Sequence, residues 1–309
     1  MIKKDKRTRR FRQKQIYNII TNPKAAEYSR EKVDKLCQKI VDAGGRYFLS
    51  EPDSAKNVIY HAKRAASKGP VGIIVCGGDS TVNLVARHII RRTISLGIIP
   101  MGRFNNIYRS LYGEPDFETA VAHIMSGKDR KIDYGLAAGN FFLGSLSLGL
   151  IPQLHGLLEN RKTPRFAISW SRLAAQAAAM IEVKPLSFKV DAFGFDFSPQ
   201  TISVNLLPYS SGIPLVPSCI FDDGKCEVSF DIGEGQAIMS SYIRQIYKKK
   251  FIYSDEIRLY RGERVSISSV KDSKIYIDGE LITMSEPELK IETFSQKVRI
   301  FFKPDIQDQ

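Results

Sequence analysis

The run Val71-Gly72-Ile73-Ile74-Val75-Cys76 passes without a polar residue into Gly77-Gly78-Asp79-Ser80-Thr81, and no other stretch constrains the chain as much. An apolar run without alternation is a strand buried on both faces. Beyond the turn, Val82, Val85, Ala86, Ile89 and Ile90 recur at i, i+3, i+4, i+7 and i+8, the stripe of a helix packing back on a sheet. The unit reads strand, glycine turn, helix. Paired glycines let the backbone approach a ligand closely, and the first helical amides point into the turn with the positive end of the helix dipole behind them. Phosphate is the natural guest. Glycine turns after buried strands also serve packing alone, so this stretch by itself leaves both readings open.

The flanking sequence repeats the pattern. Residues 15–21 form a first strand ending at Asn22-Pro23, Val33, Leu36, Cys37, Ile40 and Val41 mark a helix, and 46–50 form a short strand. A second helix carries Ala55, Val58, Ile59, Ala62, Ala65 and Ala66, and 95–100 is another fully apolar strand. Strands alternating with helices of this length predict a doubly wound parallel α/β domain. Ligands gather at the carboxyl ends of such strands. Asn22-Pro23, Ser50, the turn at 77–81 and the loop Met101-Gly102-Arg103-Phe104-Asn105-Asn106 all fall at those ends.

Near Arg130 the pattern changes. Residues 132–136 and 141–150 read as a β-hairpin bent at Gly139-Asn140, and 152–183 as a helical insertion. Strands follow at 187–197, 201–207, 225–231, 256–269, 274–277 and 289–302, with a helix at 234–249. The expected architecture is therefore an α/β domain over 15–129 and an antiparallel β-sandwich with helical insertions over 130–304, with the site in the cleft between them. A length of 309 residues with 43% hydrophobic and 26% charged residues suits two such cores.

The net charge of +13 is partly concentrated in a leader over 1–14, which composition predicts to be disordered. Such a tail favours a polyanion, either nucleic acid or an anionic membrane surface. Four cysteines without CxxC spacing fit a reducing compartment. The amino terminus has no uninterrupted apolar core of a signal peptide. Residues 141–152 are too few to span a bilayer, and 167–183 are interrupted by Arg172 and Gln176. These features point to a cytoplasmic protein that touches a membrane without crossing it. The four histidines show no metal spacing and carry no predicted role.

The motifs in order resemble the diacylglycerol kinase catalytic-domain family, which includes bacterial lipid kinases and the sphingosine and ceramide kinases. Asn22-Pro23, then Gly77-Gly78-Asp79-Ser80-Thr81-Val82-Asn83 against GGDGTxN, then Ile99-Pro100-Met101-Gly102-Arg103-Phe104-Asn105-Asn106 against IPxGTxND carry the first half. Ile132-Asp133-Tyr134-Gly135, Asp223-Gly224 and Ile277-Asp278-Gly279-Glu280 carry the second. The resemblance implies a kinase fold shared with NAD kinases, and transfer of phosphate from ATP to a lipid hydroxyl, a step of phospholipid biosynthesis. ATP would lie against Asn22, Ser50, Gly77, Gly78, Asp79, Ser80, Thr81, Asn83, Gly102, Arg103 and Asn105. Asp278 would be the base and Glu280 its supporting carboxylate, their i, i+2 spacing placing both on one strand face provided that Gly279 does not bend the strand, with a surface turn of two solvated acids as the alternative. Asp223, with the carbonyls of Ile220 and Lys225, would hold a Mg²⁺. The partners implied are the lipid substrate and, through the leader, an anionic membrane rather than nucleic acid. Oligomeric state has no signature in the sequence.

Three positions depart from the family pattern. Ser80 stands for the third glycine of GGDGT, and a positive φ there would cost a serine about 1–2 kcal/mol. Arg103 replaces a threonine and either pairs with phosphate or occupies its place. Asn106 replaces an aspartate, removing a metal carboxylate. Two rival readings stand beside the lipid kinase: a catalytically silent family member that binds lipid or an anionic partner, and a soluble NAD kinase-like enzyme.

Overall fold

The computed structural model describes residues 15–159, 176–177, 179–181, 183–232, 245, 248, 251–253 and 255–303. The expected leader, all of the helix at 234–249 but residues 245 and 248, and most of the helical insertion therefore lie outside the described residues.

The amino-terminal half alternates β1 (Ile16–Thr21), α1 (Arg30–Asp42), β2 (Arg46–Ser50), α2 (Ala55–Ser67), β3 (Gly72–Gly77), α3 (Asp79–Ala86) and β4 (Ser95–Pro100). Local chemistry sets the helix starts. The hydroxyls of Ser29 and Ser54 accept the amide N–H of Lys32 and Asn57, both at 3.3 Å, and cap α1 and α2. Apolar spacing then fixes the buried face of α1, which covers Val33, Leu36, Cys37 and Ile40. Every residue of β3 and β4 is buried, as expected of strands covered on both faces. Two helices that sequence periodicity does not reveal, α4 (Asn106–Tyr112) and α5 (Phe117–Met125), follow. Each is barely two turns long, too short for a stripe to declare itself.

The remaining described elements are β5 (Asp129–Ala137), β6 (Asn140–Phe142), β7 (Ser145–Gly149), α6 (Leu150–Glu159), β8 (Leu186–Val190), β9 (Phe193–Phe197), β10 (Thr201–Asn205), β11 (Tyr209–Ser210), β12 (Ile213–Pro214) and β13 (Cys226–Asp231). They continue with β14 (Ile257–Gly262), β15 (Arg264–Ser268), β16 (Lys274–Ile277), β17 (Glu280–Thr283) and β18 (Glu288–Phe301). A ten-stranded sheet runs β2-β1-β3-β4-β18-β15-β8-β9, with β5 on β18 and β6 on β5. A six-stranded antiparallel sheet, β14-β13-β10-β7-β16-β17, packs on its distal part. Leu146, Leu148, Val204 and Val228 meet Val190, Val265, Ile267 and Ile291 in the core between them. Phe188 and Phe230 touch edge to face across it, with ring centroids 4.6 Å apart. The fold is the expected one: a parallel α/β part and an antiparallel β part.

The long strand β18 joins the two. Its first residues pair with β15, and near its end Arg299 and Ile300 pair in parallel with Ser95 and Leu96 of β4. A bulge between Phe294 and Val298, with Gln296 at φ 48°, lets one strand serve both regions. The Phe301 ring then lies over Gly72, where any Cβ would come within 2.6 Å of the ring edge.

Three strands read as continuous in the sequence are divided, the simplest being 187–197, which is the antiparallel hairpin β8–β9 turned at Asp191-Ala192 with Asp191 at φ 51°. The run 141–150 is split between β6 in one sheet and β7 in the other, because the amides of 143–145 bond a side chain instead of a ladder. The hairpin bend is Ala138-Gly139, with φ 47° and 77°, since Ala137 pairs with Asn140. Likewise 256–269 divides into β14 and β15, which change sheets at Glu263, where Asp191 Oδ1 accepts the N–H of Glu263 and Arg264.

Phe301→Ala is expected to lower the unfolding free energy by about 3–5 kcal/mol, read by urea denaturation followed by far-ultraviolet circular dichroism, although Phe301 is far in sequence from the strands that it covers.

Candidate active site

A cleft of about 260 Å³ opens at the carboxyl ends of the parallel strands. Asn22, Lys24, Ser80 and Arg103 line it from the α/β side, and Tyr276 and Gly279 close it from the antiparallel side. Gly78 and Gly102 form its floor because their loops touch. A Cβ on Gly78 would lie 3.0 Å from Gly102 Cα, and one on Gly102 would fall well inside contact with Gly78 Cα. Neither glycine has a positive φ; close approach, and not handedness, demands them. Gly77 is packed against the Thr81 side chain, and Thr81 Oγ1 accepts the Asn22 carboxamide N–H at 3.1 Å. Ser50 contributes its carbonyl to Thr21 Oγ1 at 3.5 Å and does not line the cleft.

Ser80 corrects the expectation of backbone strain. It is the second residue of α3, with Gly78 as N-cap, so no left-handed conformation is required of it. Its hydroxyl-bearing side chain faces the cleft beside Gly279, whose own Cβ, were there one, would lie 3.3 Å from Ser80 Cβ. Arg103 is exposed at the cleft wall, and Lys24 Nζ, held by the Asp53 carbonyl at 2.7 Å, lies on the same rim. The cleft thus joins two cations to the amino terminus of α3, chemistry that suits a phosphorylated ligand.

Asp79 has a different role from that of a ligand contact. It is buried, and both oxygens are engaged: Oδ1 by Ile107 N–H at 2.8 Å, Oδ2 by the backbone and carboxamide N–H of Asn106 at 2.9 and 3.1 Å. Burial still pushes its carboxyl above the usual range, opposed by these bonds and by the Arg109 charge. Asp79 therefore fastens the start of α3 to the start of α4. Asn106 is the matching donor, and an aspartate in its place would set one carboxylate against another. Asn105, at φ 53°, closes the loop by accepting Gly102 N–H and donating to Gly102 O, both at 2.8 Å.

Asp278 sits across the cleft in the two-residue turn between β16 and β17, with Asp278 at φ 40° and Gly279 at φ 95°. Its carboxylate is buried and accepts the amide N–H of Leu143, Gly144 and Ser145 at 2.5, 2.9 and 2.7 Å. The seat needs glycine at 144, where a Cβ would lie 2.6 Å from Asp278 Oδ1. Burial outweighs the three donors and, with the negative Asp79 nearby, pushes the carboxyl up to about 7.

The expected pairing of Asp278 with Glu280 is not what the structure builds. Two residues in a turn break strand alternation, so Glu280 is exposed and shares a small recess with Asn83 and Arg87. Asn83 is likewise turned from the cleft; its Nδ2 donates to the Phe141 carbonyl at 2.8 Å and rivets α3 to β6. Lys24 and Tyr276, absent from the sequence-derived set, line the cleft, and both flank recognised motifs, Asn22-Pro23 and Asp278-Gly279.

The cation site implied at Asp223, Ile220 and Lys225 does not fit Mg²⁺ here. The Arg261 guanidinium is ion-paired with Asp223 Oδ2, and Asp223 Oδ1 accepts the Lys225 N–H at 3.0 Å. A guanidinium and a hydrated Mg²⁺ cannot share one carboxylate oxygen. Among the described residues, no cluster of three or more His, Cys, Asp or Glu side chains has metal-holding geometry.

Known proteins resemble this chain over most of its length. Residues 17–137 match the diacylglycerol kinase catalytic domain family. A putative lipid kinase of Streptococcus pneumoniae is 25% identical over 301 residues, spanning 93% of this chain and 97% of its own. A diacylglycerol kinase of Staphylococcus aureus is 26% identical over 293 residues, spanning 85% of each. Among solved structures, a putative diacylglycerol kinase from Bacillus anthracis superposes with a TM-score of 0.77 at 22% identity, covering 94% of this chain and 98% of that one. An NAD kinase from Archaeoglobus fulgidus, solved with ATP, gives 0.54 at 10% identity, covering 92% and 93%. The structural likenesses are likenesses of fold.

Asp79→Asn would turn an amide N–H₂ toward backbone donors. The variant is expected to lose about 1–3 kcal/mol of stability in urea denaturation.

Proposed function

We propose that this chain, whose residues 17–137 belong to the diacylglycerol kinase catalytic-domain family, is a lipid kinase that moves the γ-phosphate of ATP to a lipid hydroxyl. One observation carries the reading: a buried carboxyl raised to about 7 stands at the turn whose Gly279 closes a cationic, glycine-floored cleft. A base poised near neutrality beside a phosphate recess is what phosphoryl transfer to an alcohol requires.

In this mechanism the residues divide the work. The α3 amino terminus, Lys24 and Arg103 hold phosphate oxygens, and Arg103 supplies as a guanidinium what a threonine would supply as a hydroxyl. ATP supplies the phosphoryl group. Asp278 takes the proton from the lipid hydroxyl as its oxygen attacks phosphorus, the phosphoanhydride bond breaks, and ADP leaves. The amides of Leu143, Gly144 and Ser145 hold the carboxylate in one rotamer throughout. Tyr276 and Gly279 present the antiparallel domain to the cleft, so lipid approaches from that side.

A second reading, a silent family member that binds an anionic partner, has one observation in its favour. Both oxygens of Asp79 are engaged by α4 and both oxygens of Asp278 by the amides of 143–145, so neither carboxylate presents an unengaged oxygen to a metal-bound nucleotide or a substrate hydroxyl. Among the described residues no helix is long and apolar enough to cross a membrane, so lipid would be met at a surface.

The deciding experiment is transfer of labelled phosphate from ATP and Mg²⁺ into vesicles carrying diacylglycerol, monoacylglycerol, sphingosine, ceramide or phosphatidylglycerol. Label in one lipid that drops at least about 100-fold in Asp278→Asn supports the kinase. No label from folded protein that still binds the vesicles supports the silent reading, and label on NAD alone supports the soluble one.

The pH dependence has a fixed sign. The carboxylate is the working form and its folded pKa is raised to about 7, so kcat/KM is expected to climb about tenfold per pH unit below 7 and to level off above it. A profile flat from pH 5 to 8 would remove Asp278 as the base.

A further inference from the structure

The turn before β13 gathers more carboxylates than its surroundings require. Asp222 is paired with Arg130 Nη2 at 3.2 Å. Asp133 is buried beneath the turn and accepts the N–H of Gly224 and of Gln296, both at 2.6 Å, tying the turn to the bulge of β18. Asp223 and Glu227 remain, and one side chain serves both. Arg261 stands on β14 directly opposite Glu227 in the β13–β14 ladder. Its Nε lies 3.5 Å from Glu227 Oε1, and its Nη2 is in contact with Asp223 Oδ2.

Glu227 is only 7% exposed, so an unpaired charge there would be costly. Oxygen ligands of this kind are also what a hard divalent cation seeks. Arginine answers both needs without a metal: it is charged at every accessible pH, and its planar fork reaches two carboxylates at once. It also occupies the Asp223 oxygen that a metal would need.

We propose that Arg261 is the resident cation of this acidic turn, so that the chain holds residues 222–227 together without a divalent metal, and that removing its charge opens a Mg²⁺ site at Asp223. The inference concerns stability and is independent of the kinase reading. Its test reads Tm and not turnover.

Thermal unfolding of the full chain is measured in excess EDTA and in 5–10 mM Mg²⁺, roughly the range in which a weak site would respond. Wild-type Tm is expected to be the same in both. Arg261→Gln is expected to lose about 4 °C or more in EDTA and to recover part of it with Mg²⁺. The recovery is expected to vanish in Arg261→Gln combined with Asp223→Asn. A wild-type Tm that falls in EDTA and is restored by Mg²⁺ would overturn the proposal, as would an Arg261→Gln protein whose Tm ignores Mg²⁺. If Arg261→Gln does not fold, Arg261→Lys takes its place: a retained charge predicts a Tm indifferent to EDTA, and a Mg²⁺ requirement would overturn the assignment.

Discussion

The geometry of the site depends on one strand. β18 pairs with β15 of the antiparallel region and, seven residues after Glu292, with β4 of the parallel region, so the two halves are hydrogen-bonded parts of one sheet. Without that continuity the Asp278 turn would approach the amino terminus of α3 across a flexible joint. With it, Gly279 comes so close to Ser80 that a Cβ there would lie 3.3 Å from Ser80 Cβ. The bulge at Gln296 is where the strand changes service, and the buried Asp133 carboxylate pins it by accepting the Gln296 amide.

The site itself is built on carboxylates whose immediate partners are amides. Asp79 and Asp278 each accept three N–H groups, one set from the start of α4 and the other from the segment between β6 and β7. Amides hold a carboxylate in place without cancelling its charge, so burial is left to raise the pKa of both. In Asp79 the result is a fastener between two loops. In Asp278, at the turn whose Gly279 borders the cleft, it is the property on which the proposed role as base draws.

The departures from the family pattern look different once the neighbours are known. Ser80 fits a helical position and carries no strain. Asn106 complements Asp79 where an aspartate would repel it. Arg103 brings a second cation to the rim with Lys24. Each substitution is consistent with a cleft that holds phosphate, and the resident Arg261 at Asp223 shows the same preference for guanidinium.

The sequence by itself determined the layer architecture, since fully apolar strands alternating with striped helices admit few other solutions. It also placed Asn22, Gly78, Ser80, Gly102 and Arg103 at one sheet edge, because carboxyl ends of parallel strands lie together. What it did not determine was orientation. Asp278 and Glu280 looked like same-face neighbours until the two-residue turn, with both φ values positive, sent one inward and the other to solvent. Asn83 and Asp79 lie in the phosphate motif yet point at Phe141 and α4. The break of 141–150 between two sheets was equally invisible, since the side chain that takes its amides lies over 130 residues away. Motif spacing records which residues come near a site; the direction of a side chain depends on partners distant in sequence, and only the packed structure supplies those.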